Sequence, residues 1–144
     1  MDPRLSVALP VLPALAHALV LRWEAAYLAE TWGAGWADVV DGLRVLSVWV
    51  ILFAVVLGVL AYAARHPEAA WAARWFLVVS LMVEVGWLAV LGFLRFADAS
   101  DASDMGEPSL AIAIASLGTM MVFVAATAAG VATLRRTAVQ SRRA

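Results

Sequence analysis

The sequence predicts an all-α, polytopic integral membrane protein: four transmembrane helices in an antiparallel bundle, three if the first lies at the interface. Three observations carry that expectation. Of the 144 residues, 65% are apolar and 15% charged, where a soluble domain has roughly a quarter charged. Small domains bury a smaller fraction of their surface than large ones, so a soluble fold of this length has no interior for so much apolar side chain. The apolar residues also fall into runs of the length a bilayer crossing needs, about 20 residues. Finally, arginine is shared unevenly between alternate links.

The first span is read as a helix over residues 5–28. Leu5 to Leu21 carries no formal charge but includes Pro10, Pro13 and His17. The prolines would lie in the opening turns, where lost backbone donors matter least. Ala16-His17-Ala18 has the small-x-small form of a signal cleavage site, yet Asp2 and Arg4 make a poor basic lead-in. The rival reading is an interfacial helix. His17 and Glu24 share one face while Arg22 and Glu30 point elsewhere, so no clean polar face supports it.

Thr31 to Gly42, with two tryptophans, three glycines and two aspartates, reads as an external loop carrying at most a short surface helix. The second helix is placed over residues 43–64; Val45 to Ala64 is a run without a charge. Arg65-His66-Pro67-Glu68 closes it. Proline suits the first turn of a new helix and cannot continue an old one, and so short a link makes the second and third helices antiparallel neighbours.

The third helix is placed over residues 67–97, with Glu84 the one charged residue between Trp75 and Leu94. Acids at 98, 101, 104 and 107 follow; their spacing does not match a calcium loop, and a solvated acidic loop is the expectation. The fourth helix is placed over residues 109–134, which hold no charge, and residues 135–144 form a basic cytoplasmic tail.

Orientation follows from arginine. The termini and the 65–74 link hold Arg4, Arg65, Arg74, Arg135, Arg136, Arg142 and Arg143; the other side holds Arg22, Arg44 and Arg95. Seven against three predicts a cell-membrane protein with cytoplasmic N- and C-termini and acidic loops outside. Trp23, Trp32 and Trp36 at one boundary, and Trp71 and Trp75 at the other, are expected as interface anchors, since amphipathic rings favour the headgroup level.

Glu84 is the foremost chemical candidate. An acid at a helix centre costs about 2.5–3.5 kcal/mol on the insertion scale, so it should face protein rather than lipid. It serves either a proton or cation relay or a substrate contact, or else a hydrogen-bonded clamp between helices. His17, midway along the first span, is its natural partner, and Ser80, Ser116 and Thr119 lie near the same depth to complete a polar cluster. A separate signal is small residues: Ala111, Ala115, Gly118, Ala125, Ala129 and Ala132 form a seam on the fourth helix, and Ala54 with Gly58 a pair on the second. Such faces let helices approach closely, within one chain or between copies.

Other classes are set aside. There is no cysteine, hence no disulfide or thiolate site. His17 and His66, the two histidines, lie at different heights and cannot be paired haem ligands in one chain. No cofactor or metal is expected. No nucleotide-binding, hydrolase or zinc-protease motif occurs, and a net charge of −1 without a basic stripe argues against nucleic acid. The expected function is a small non-enzymatic protein, an accessory or structural subunit of a larger membrane complex. Its expected partners are the lipid bilayer and other membrane subunits or copies of itself. The alternative is a small proton- or ion-coupled transporter or oligomeric pore, including a holin-like lysis pore, that uses Glu84.

Overall fold

A computed structural model describes residues 3–64, 66–101 and 107–141. The described chain is helical almost throughout: α1 (Pro3–Ala8), α2 (Val11–Trp32), α3 (Ala37–Ala63), α4 (Pro67–Asp101) and α5 (Glu107–Ser141). Among the described residues, four stretches are long and apolar enough to cross a membrane, Arg4–Thr31, Ala37–Ala63, Glu68–Phe93 and Ala111–Arg135. They pack antiparallel as a multi-pass membrane bundle.

The first span is α1 and α2 together, joined through Leu9 and Pro10. Leu9 N–H closes α1 on Leu5 O at 3.0 Å and Ala14 N–H opens α2 on Pro10 O at 2.9 Å. Pro13 falls in the first turn of α2, where a missing donor breaks no helical bond. One face of this span turns inward at helical spacing: Ser6, Val7, Pro10, Ala14, His17, Leu21 and Glu24 are all buried. Arg22 and Glu30 are exposed.

Two expectations about the links change. The external loop expected over Thr31 to Gly42 shrinks to one tight 3-10 turn, Gly33–Trp36. Ala37 to Gly42 instead opens α3, with Asp38 in the first turn, where a negative charge suits the helix dipole. The acidic stretch expected as a loop lies partly outside the described residues (102–106); residues 98–101 finish α4 and Glu107 begins α5. The basic tail is helical as far as Ser141, since Ala, Gln and Arg propagate a helix well. Pro67 does open α4, and Ala70 N–H bonds His66 O at 3.0 Å across its start.

The second and third spans touch in a restricted way. Beside their link, Leu57 and Ala61 of α3 and Ala64 just after it pack with Ala73 and Leu77 of α4, and with Val7, Val131 and Leu134. One turn further along, Phe53 stacks on Phe76 at 5.3 Å between ring centroids. Beyond that pair the helices part. α3 lies mainly against the first span and α4 mainly against α5, while α2 and α5 form the central contact. Side-chain size explains the split. Ala14 on α2 and Ala54 on α3 are buried and let those helices close up, whereas Trp49, Phe53, Phe76 and Trp87 stand between α3 and α4.

Most of each span faces outward: only 22% to 39% of the apolar windows is buried. Met82 and Phe93, each 72% exposed, typify that outer surface. In water such a coat would be an aggregation liability; in hydrocarbon it is the ordinary outer face of a spanning bundle.

Candidate functional site

Where α3 and α4 part, they leave between them an open cleft of about 460 Å³. Its walls are Leu46, Trp49, Val50, Leu52, Phe53 and Val56 from α3 and Phe76, Val79, Val83 and Trp87 from α4. Met120 and Phe123 of α5 close the back, and the polar lining residues are His17, Ser80 and Glu84. Three of the five residues expected to form a polar cluster therefore border one space, and Ser116 and Thr119 stand near them on α5.

The expected direct pair of Glu84 and His17 does not form. Each is held by its own threonine on α5. Thr127 Oγ1 donates to Glu84 Oε1 at 3.0 Å, and His17 Nδ1 lies 3.0 Å from Thr119 Oγ1. Those threonines are eight residues apart, about 12 Å of helical rise, which staggers the two groups along the bundle axis. Similar depth in the sequence was a necessary condition for pairing but did not fix the register between helices.

The roles of the two histidine nitrogens depend on where the Thr119 hydrogen goes. Thr119 Oγ1 donates to Ala115 O at 2.8 Å, with Ser116 O at 3.2 Å. A hydroxyl has one hydrogen, so while it is given to the backbone the oxygen accepts from His17 Nδ1–H. Neutral His17 then carries its lone pair on Nε2, which is buried and has no protein partner. Glu84 Oε2, Trp87 Nε1 and Ser116 Oγ are likewise buried without a protein partner. Ser80 is satisfied locally, its Oγ donating to Phe76 O at 2.7 Å.

Comparison with protein-family models, curated proteins and solved structures gives no match. Function must be argued from this site.

Thr127, Trp87 and Glu24 were not in the expected cluster. Thr127 is fully buried and lies eight residues beyond Thr119, a little over two turns and about 80° round α5, within the width of one inward stripe. Glu24 is 3% exposed. Its place on the His17 face, two turns further along α2, could have shown this.

The small-residue seam expected on the fourth helix faces outward. Ala111, Ala125, Ala129 and Ala132 are exposed, and Ala115 and Gly118 only half-buried. The inward stripe of α5 is instead Ile112, Ser116, Met120, Phe123, Thr127, Gly130 and Leu134. A helix this rich in small residues has such a pattern in more than one phase, and the larger side chains decide which phase is buried. Of the pair on α3, Ala54 is buried and Gly58 is exposed. Close approach occurs at Gly130, where an added Cβ would sit 2.5 Å from Ser6 O. Trp23, Trp36, Trp71 and Trp75 all point outward, the last two edge to face at 6.3 Å; the side chain of Trp32 lies outside the described residues.

Proposed function

We propose that this protein is a small, non-enzymatic, proton-coupled membrane transporter in which Glu84 is the working carboxyl and His17 a second proton-holding group. One observation carries the reading. Glu84 and His17 each have one polar atom bonded to a threonine and a second polar atom buried without a protein partner, beside the same cavity. A carboxyl kept only as a clamp is stabilising when its hydrogen-bonding capacity is filled, because a half-satisfied buried group is costly. Polar groups at such a depth that stay incompletely bonded are suited to taking up and releasing a proton or cation.

The test is proton movement in liposomes carrying a trapped pH dye and an imposed potential. The wild-type protein should move protons faster than empty vesicles, Glu84→Gln should return the rate to theirs, and His17→Ala should slow it. Equal rates for wild type and Glu84→Gln defeat the reading. Release of a larger trapped dye alongside protons would instead indicate an oligomeric pore of the lysis type.

A second reading, an accessory subunit of a larger complex or of an assembly of its own copies, is favoured by the outward alanines of α5, which suit close contact with another helix. It requires a partner at fixed stoichiometry after extraction in mild detergent. The orientation proposed for either role has both termini cytoplasmic, from the arginine imbalance. A cysteine added at Ala144, in a chain that has none, should then resist impermeant thiol reagents in intact cells; ready labelling would reverse the topology.

A further inference from the structure

We infer that Thr127 is the positioning residue that passes the protonation of Glu84 to the backbone of α5 and on to the cavity wall. The inference rests on the proton role proposed for Glu84 and adds the route by which that proton acts.

Thr127 is fully buried, with Oγ1 3.0 Å from Glu84 Oε1 and 3.1 Å from Phe123 O. It has one hydroxyl hydrogen and two acceptors within reach, so which acceptor receives it depends on Glu84. An ionised carboxylate only accepts. The threonine hydrogen then goes to Oε1, in a charge-assisted bond roughly twice as strong as a neutral one. When Glu84 holds a proton on Oε1, that O–H donates to the threonine oxygen, and the threonine hydrogen turns back to Phe123 O. No heavy atom need change partner. Hydrogens rearrange, and the Phe123 carbonyl gains or loses its second donor.

That carbonyl is the helical acceptor one turn before Thr127. A side-chain bond to it from four residues on competes with the helix ladder and bends the helix. The Phe123 ring meets Phe53 of α3 edge to face at 5.7 Å, and Phe53 stacks on Phe76 at the closed end of the cavity. A change of α5 curvature at Phe123 therefore reaches the aromatic cluster that sets the separation of α3 and α4. Buried Glu24 of α2 lies two turns beyond His17 and does not line the cavity. Among the cavity residues the only titratable group besides Glu84 is His17 of α2, which is held by Thr119; α3 and α5 contribute none.

The experiment is infrared difference spectroscopy of the full chain in lipid, with carbonyl-¹³C phenylalanine at all five positions, across a pH step. Wild type should show a Glu84 carboxyl band, absent in Glu84→Gln, together with a shift of one labelled carbonyl. The carbonyl shift should vanish in Thr127→Val, which removes the hydroxyl at nearly equal volume, and persist in Thr127→Ser, which restores it. Liposome proton movement should fall about fivefold in Thr127→Val, the factor of one ordinary hydrogen bond, and recover in Thr127→Ser. A carbonyl shift that survives in Thr127→Val overturns the inference. So does a wild type whose carboxyl titrates while every labelled carbonyl stays silent, a result that needs no variant to fold. If no Glu84 carboxyl band responds to pH, the proton role itself fails and this inference falls with it.

Discussion

Glu84 of α4 and Thr127 of α5 are 43 positions apart in the chain and 3.0 Å apart in space, both buried. This bond ties two spans together at the depth where an unpaired carboxyl would be most costly. Removing the hydroxyl alone in Thr127→Val strands a buried acceptor and should cost about 1–3 kcal/mol. Replacing both partners, in Thr127→Val with Glu84→Met, should recover part of that loss, because no polar group is then left behind. The coupling from the double-mutant cycle should fall near the measured range for membrane hydrogen bonds, about 0.6–1.7 kcal/mol. Reversible unfolding in mixed micelles gives all four values. Single and double variants that add to within about 0.3–0.5 kcal/mol would show that the bond contributes nothing to the fold.

How far the sequence foretold this arrangement differs by level. Span number and the break at Pro67 were legible because each depends on local quantities, run length and the geometry of proline. The burial of Glu84 was legible too, since the medium imposes it. Which residue receives Glu84 was not legible, because Thr127 is one of several hydroxyls on α5 and the choice depends on axial register between helices far apart in the chain. The inward face of α5 was not legible for a related reason. Alanine every three or four residues is compatible with either side, and Phe123 and Met120, which fix the phase by filling space against α2 and α3, carried that information. The gap between α3 and α4 was hidden in the same way: a short link brings two helix ends together but does not hold them together along their length.

Gly130 is a place where backbone proximity can be tested directly. An added Cβ would lie 2.5 Å from Ser6 O and 3.5 Å from Leu77 Cδ1. The carbonyl belongs to a helix backbone, so relief requires moving α1 or α5 rather than turning a side chain. Gly130→Ala should therefore destabilise by about 1–3 kcal/mol, the usual range for overpacking. Gly58→Ala and Gly118→Ala, where an added Cβ meets nothing within 4 Å, are the controls. They should be neutral or slightly stabilising, because alanine is the better helix former by about 0.8–1.0 kcal/mol. Equal losses at all three positions in a detergent unfolding series would contradict the packing of α1 on α5.

Alanines on α3 and α5 separate interior from exterior in the same manner. Ala54 is 3% exposed and packs with Ala14, Met120 and Phe123, so Ala54→Leu forces extra volume into a closed contact and should cost about 1–3 kcal/mol. Ala125 and Ala129 face outward on α5. Leucine at both should leave the isolated bundle within about 0.5 kcal/mol of wild type, as surface substitutions do, because lipid accommodates the larger side chain. The same double substitution would block close approach of a second helix, which small residues permit and leucine does not. If the protein acts through association, Ala125→Leu with Ala129→Leu should abolish copurification of its partner, or of a tagged second copy, while thermal unfolding is unchanged. Unaltered copurification would remove this face from any assembly, and a large loss of stability would mean that α5 is turned about its axis from the orientation described above.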